Sequence, residues 1–413
     1  MDEEPDIGRL YTGISAHYAN HAVKVEAGAE MDRISRRMVI AGGAALSVAS
    51  ALAQPAGQTD NDPDIDQAID DALKAHACPG ISIAVSRAGT IIFSRGFGLA
   101  NIETQTPVSE CSIFRIGSLT KQFTAAAIIK LASVGRVGLA TSVGTYLPAL
   151  HSLKSLTLLE LMHHTAGLHS DEDDRTTPAP ATPRTQVQLA EEIARQTKPF
   201  DFDPGTAWRY SNANYIVLGA VIESVTRMPL ARALSDLVFT PLHLTSTAMD
   251  LSSEVVPNRA SGYTRTDNQA APFENAAFIE VSEAGGAGAM RANAIDLCRW
   301  HNSLLEERLF DRAHIDLMLT PGRLRDGRLS SANRFSAEDA HYGDIEYACG
   351  LLISGFSDPN PSIIHYGNIN GFSAALQSYE KSRVTFAVLC NSDAGPDLPF
   401  RAVRKHIVSH YLT

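Results

Sequence analysis

Two strand-hairpin patterns, one near each end of the chain, constrain the fold more than any other feature. Ile81, Ile83 and Val85 alternate with smaller residues, a turn follows at Arg87-Ala88-Gly89, and Ile91-Ile92-Phe93 completes the pattern. Alternation closed by a glycine turn predicts a β-hairpin. Towards the C-terminus, Gly371 to Tyr379 and Val384 to Leu389 flank the turn Glu380-Lys381-Ser382-Arg383 in the same way. Helical spacing over Ile65 to Ala75 (Ile65, Ala68, Ile69, Leu73) predicts a helix capped by Asp64, and residues 399–411 predict a closing helix. The middle, roughly 118–250, is dominated by helical patterns. That order predicts an α+β fold, with an antiparallel β-sheet built from N- and C-terminal strands, flanked by helices, and a mainly helical region inserted.

The N-terminal section reads as a leader. From Met31 the chain runs Asp32-Arg33-Ile34-Ser35-Arg36-Arg37, then an apolar, small-residue stretch from Met38 that closes on Ala51-Leu52-Ala53. A positive segment, an apolar core and a small-x-small site predict a secretory signal over 31–53 and export, to the periplasm of a bacterium. Ser35-Arg36-Arg37 resembles a twin-arginine signal. The competing reading is an uncleaved amphipathic anchor, but the run is too short and too rich in Ala, Gly and Ser for a good membrane span. Residues 1–30 carry Asp2, Glu3, Glu4, Asp6, Glu26 and Glu30 against Arg9 and Lys24, the wrong charge ahead of such a signal. Translation is therefore expected to start at Met31, with 1–53 outside the fold and one domain over 54–413.

A length of 413 residues, 44% of them apolar, supplies a sizeable core. The net charge of −11 argues against binding nucleic acid or an anionic membrane through a basic surface. Asp171 to Thr185, with four acids and three prolines, reads as a surface loop that borders a cleft. Five cysteines (Cys78, Cys111, Cys298, Cys349, Cys390) fit no zinc spacing, and their pairing is not legible. Cys298 and Cys390 stand in apolar surroundings and read as small buried hydrophobes.

The chemistry is written in three short segments. Ser118-Leu119-Thr120-Lys121 precedes the apolar run Phe123 to Val134, so serine and lysine share one helical face, a turn apart. A serine hydroxyl needs a base within hydrogen-bond reach, and a desolvated lysine can serve. Tyr210-Ser211-Asn212 supplies a phenol able to relay protons and an amide able to hold a carbonyl. His365-Tyr366-Gly367-Asn368 precedes a strand, and Gly367 after an edge-strand histidine lets a substrate backbone approach closely.

Together these segments resemble the serine β-lactamase-like superfamily, which takes in class C β-lactamases, D-alanyl-D-alanine carboxypeptidases, D-aminopeptidases and esterases. Phe114 to Lys121, Leu161 to Leu168, Gly286 to Met290 and Asp296 to Trp300 look like habitual segments of that family. The resemblance covers roughly 64–412. It implies Ser118 as acyl-forming nucleophile, Lys121 as its proton acceptor, Tyr210 as proton relay and Asn212 as the group that orients the acyl chain. It also implies an oxyanion hole from the backbone N–H groups of Ser118 and Asn368, with His365 where other members place a lysine.

A histidine near its ordinary pKa of ~6.5 is mostly neutral at neutral pH and binds carboxylates weakly. Esters or D-amino-acid peptides and amides are therefore expected ahead of β-lactams, unless Arg323 or Arg325 restores a charge. The alternative is a slowly turning-over penicillin- or peptidoglycan-binding receptor; intact Tyr210 and Asn212 favour turnover. His163, His164 and His169 have no zinc spacing, and the glycine cluster 285–288 is not a nucleotide loop, so neither a metal nor another cofactor is called for. That glycine cluster reads as a turn lining the cleft.

Overall fold

The computed structural model describes residues 63–74, 77–169, 182–337, 339–342, 345–356, 360–393 and 397–412. The leader, the start at Met31 and most of the acidic loop (171–181) lie outside the described residues.

Helix α1 (Pro63–Lys74) starts with a proline, which suits a first helical turn, and Asp64 follows it in the helix. Strands β1 (Gly80–Arg87) and β2 (Thr90–Asn101) form the expected first hairpin, and β3 (Thr106–Pro107) lies against β2. After β4 (Phe114–Arg115) come helices α2 (Thr120–Ser133), α3 (Gln186–Arg195) and α4 (Asn212–Thr226). Strands β5 (Ala248–Met249), β6 (Tyr263–Arg265), β7 (Phe273–Asn275) and β8 (Met290–Ala292) precede α5 (Ala294–Leu305) and α6 (Arg312–Leu319). The chain closes with β9 (Glu346–Tyr347), β10 (Leu352–Ser354), β11 (Ser362–Ile369), β12 (Phe372–Tyr379), β13 (Val384–Cys390) and α7 (Asp397–Tyr411).

One antiparallel sheet runs β3-β2-β1-β13-β12-β11-β10-β9, so the N-terminal hairpin pairs with the C-terminal one through β1 and β13. Its edges are two-residue strands, which limits open pairing groups. Both faces of β1 are buried: Ile81, Ile83 and Val85 pack with Ile65, Ile69, Phe400 and Val403 from α1 and α7. The opposite face carries the small Ser82, Ala84 and Ser86, which lets α5 lie close; Ser86 Oγ donates to Asn302 Oδ1 at 3.0 Å. Large residues on one side and small ones on the other therefore set which helix layer lies nearer the sheet.

The inserted region is mainly helical, as expected, with two additions. Strands β4, β8 and β5 form a small sheet, and β6 pairs with β7. Segments of two or three residues leave no readable periodicity, which is why the sequence did not show them. The apolar run opens into α2, which is buried over most of its surface among Phe239, Trp300 and the helical core. No helix among the described residues is long and apolar enough to cross a membrane.

Candidate active site

Ser118 stands in a single 3-10 turn (Gly117–Leu119) ahead of α2, not within the helix as its spacing predicted. It is partly exposed, while its neighbours Gly117 and Leu119 are buried. Lys121, in the first turn of α2, is fully buried. A charged group out of water costs several kcal/mol unless it is well paired. Lys121 Nζ lies 3.0 Å from Ser118 Oγ, 2.6 Å from Asn212 Oδ1 and 2.9 Å from the Ala287 carbonyl oxygen. It also stands 4.7 Å from the centre of the Tyr210 ring. The structure thus brings Ser118, Lys121, Tyr210 and Asn212 to one place from two separate parts of the chain.

The two carbonyl-type oxygens, of Asn212 and Ala287, can only accept hydrogen bonds. In a neutral amine they hold its two N–H groups and leave the lone pair aimed at the Ser118 hydroxyl. An amine held in this way can take a proton from Ser118. The glycine cluster takes part from inside: Gly285–Gly288 is a buried helical turn beside Lys121. Its small residues let it press against α4, where a Cβ on Gly286 would fall 2.6 Å from the Tyr215 carbonyl oxygen.

Strand β11 approaches the same turn. A Cβ on Gly117, which has φ +48°, would meet the Asn368 carbonyl oxygen at 2.6 Å and its nitrogen at 2.7 Å. A Cβ on Gly367 would collide with the Ile116 carbonyl oxygen. Gly367 is buried, so the protein's own backbone, rather than a substrate, requires the glycine. Strand β11 is not a sheet edge, but β10 pairs only with Ser362 to Ile364, which leaves the rest of that side to the Ser118 turn. The two-residue turn after Ile369 makes Ile369 and Phe372 a hydrogen-bonded pair, and alternation then points the Asn368 N–H away from β12, towards Ser118.

His365 departs from expectation. It is fully buried, its Nδ1 donates to the Tyr366 carbonyl oxygen at 2.6 Å, and its Nε2 lies 3.3 Å from the Tyr347 hydroxyl. Burial, then the nearby Lys121 charge, pushes its pKa down to about 3, not near the ordinary value. Arg323 and Arg325 do not replace a charge there. Arg323 donates to the Gly327 carbonyl oxygen at 2.8 Å, and Arg325 pairs with Glu160 at 2.7 Å.

His164 is the residue that the motif search missed. It is fully buried with a positive φ of 58°, and its ring centre lies 4.4 Å from that of Tyr210, 4.6 Å from Tyr347 and 5.2 Å from Tyr215. Its Nδ1 accepts from the Ser211 amide N–H at 3.2 Å and lies 2.8 Å from Asn214 Nδ2. Its own carbonyl oxygen accepts from the Arg209 N–H at 3.1 Å. Desolvation, with Lys121 and His365 nearby, holds it neutral well below the usual histidine range. His164 thus pins the loop that carries Tyr210. The visible clue was its place in the Leu161–Leu168 segment, but spacing could not show that this segment runs beside Arg209–Ser211. The other histidines considered as metal ligands lie elsewhere: His163 touches Cys349 Sγ at 3.4 Å and His169 lies 2.9 Å from Asp201.

Residues 65–409 match the beta-lactamase family. Penicillin-binding protein 4* of Bacillus subtilis (strain 168) is 23% identical over 328 residues, covering 76% of this chain and 68% of that protein. A D-stereospecific amidohydrolase from a Streptomyces species is 25% identical at a TM-score of 0.66, with 83% of this chain and 98% of that one aligned. The octameric penicillin-binding protein homologue from Pyrococcus abyssi shares the fold at a TM-score of 0.70 and 21% identity, over 84% of this chain and 76% of that one. The chain therefore belongs to the beta-lactamase family and is a serine hydrolase of that fold.

Proposed function

We propose that this protein hydrolyses esters or D-amino-acid amides and peptides through a covalent acyl-enzyme on Ser118, with β-lactams as slow or secondary substrates. The observation that carries the reading is the amine of Lys121, held by Asn212 and Ala287 and turned to Ser118 Oγ at 3.0 Å. Ser118 Oγ attacks the carbonyl carbon and its proton passes to Lys121. The oxyanion is held by the N–H groups of Ser118 and Asn368. Collapse expels the alcohol or amine, which takes the proton back through Lys121 and Tyr210. Water then attacks the ester on Ser118, gives its proton to the same pair, and the acid leaves as Ser118 regains its hydrogen.

The substrate order rests on the neutral, buried His365, which presents no cation to a carboxylate. The likeness to a D-stereospecific amidohydrolase agrees with that order. Kinetics on p-nitrophenyl butyrate, D-amino acid amides, D-Ala-D-Ala peptides and nitrocefin test it. More than one equivalent of product per protein is expected from an ester or amide. A kcat/KM near ~10⁶ M⁻¹s⁻¹ on nitrocefin with no esterase or amidase turnover would overturn it. Release limited to one equivalent would instead favour the receptor alternative.

We also propose export on the 31–53 leader, which puts this activity in the periplasm. N-terminal sequencing of native protein is expected to begin close to Gln54. Mature protein that keeps residues 1–30 would refute this.

A further inference from the structure

Of the five cysteines, only Cys111 is exposed. Cys298 donates to the Ala84 carbonyl oxygen at 3.4 Å, and Cys349 rests on His163. Cys78 and Cys390 differ, because they share one buried cluster. Both are buried, at 3% and 1% exposure, in the core between the sheet and helices α1 and α7. Cys78 stands two residues before β1, and Cys390 ends β13 opposite Ile81. The Asn391 N–H donates to the Gly80 carbonyl oxygen at 3.3 Å, so the two chain segments run level. Cys390 is the first influence on the Cys78 thiol, ahead of burial.

We propose that Cys78 and Cys390 are a disulfide site, closed by exchange with an oxidant of the disulfide class, which ties the segment ahead of β1 to the end of β13. One cysteine thiolate attacks a sulfur of oxidised glutathione and releases one glutathione thiol. The second cysteine thiolate attacks the resulting mixed disulfide and releases the other. The two cysteine protons and the two electrons end on the two glutathione molecules, and one S–S bond is exchanged for another.

The bond joins positions at opposite ends of the folded chain, so it closes a very long loop. In the chain-entropy account such a link restricts the unfolded state most. The Cys78 thiol is pushed well up, first by its hydrogen bond to Cys390 and then by burial, so thiolate is scarce in the folded protein. Closure therefore belongs to folding, or to opening of the segment ahead of β1, and not to the closed native state.

The test starts from full-length Cys111→Ser protein, which removes the exposed thiol. It is unfolded, reduced, refolded in a glutathione redox buffer, alkylated under denaturing conditions and mapped without reduction. The expected result is two of the four remaining cysteines protected, one peptide pair containing Cys78 and Cys390, and a Tm about 5 °C above the reduced form. Cys78→Ala protein is expected to lose the linked pair and that shift. Four alkylated cysteines, or a linked pair other than Cys78 with Cys390, would overturn the proposal. For protein that does not refold, the same map on native protein after long exposure to oxidised glutathione at pH 8.5 in sub-denaturing urea gives the same two outcomes.

Discussion

Lys121 Nζ lies closer to Asn212 Oδ1, at 2.6 Å, than to the serine it faces, at 3.0 Å. The amide oxygen therefore fixes where the amine points. Replacing it leaves one N–H of a buried amine unpaired, which costs about 1–3 kcal/mol. Asn212→Leu is expected to lower kcat by about ten- to a hundredfold on the best ester or amide substrate. A kcat within twofold of wild type would show that Ala287 alone orients Lys121.

Ser118 and Lys121 act as a unit in the proposed mechanism, so their losses do not add. Ser118→Ala abolishes labelling by a fluorophosphonate or a fluorescent penicillin, and Lys121→Ala removes most activity. The double variant is expected to be no worse than Ser118→Ala. Labelling of Ser118→Ala at the wild-type level would sink the assignment of the nucleophile.

His164 holds the Ser211 amide and packs beside Tyr210, so it acts by position. His164→Phe keeps a ring but removes the acceptor. Leaving a buried N–H unpaired costs about 1–3 kcal/mol. The variant is expected to unfold at lower temperature and to lose about tenfold in kcat with KM little changed. A lower Tm with unchanged kcat would limit His164 to packing.

Four buried histidines make the protein acid-sensitive. His163 is held down at about 4, His301 and His365 at about 3, and His164 well below its ordinary value, each first by desolvation. The unfolded chain takes up protons near pH 6.5, whereas the folded one does not until far lower. Stability is therefore full above pH 6.5 and falls as pH drops towards 3. Each histidine adds a slope of about 1.4 kcal/mol per pH unit between its unfolded and folded values. Urea unfolding at pH 7, 6, 5 and 4 checks this. His301→Gln should lower the slope by one proton, and an unchanged slope would show that His301 takes up its proton while folded.

The fold class was legible because it rests on patterns local to each element. Ile81-Ser82-Ile83-Ala84-Val85-Ser86 alternates with period two, and both hairpins formed where their turns stood. The candidate site was legible for another reason. Ser118, Lys121, Tyr210 and Asn212 belong to short segments whose residue types suit one chemistry, and the structure brings them together.

What spacing cannot encode is which surface closes over a side chain. His365 read as an ordinary imidazole because solvent exposure is not written in His-Tyr-Gly; packing beneath Tyr347 and beside Lys121 removed its water and pushed its pKa down to about 3. Gly367 read as room for a substrate, yet its neighbour is Ile116, far away in sequence. His164, Ala287 and the shared burial of Cys78 with Cys390 went unread for the same cause: each acts only on residues distant in the chain. Local pattern determined the elements and the chemical groups. Long-range packing alone decided which of those groups are desolvated, oriented and paired, because desolvation and hydrogen-bond geometry depend on neighbours that only the folded chain supplies.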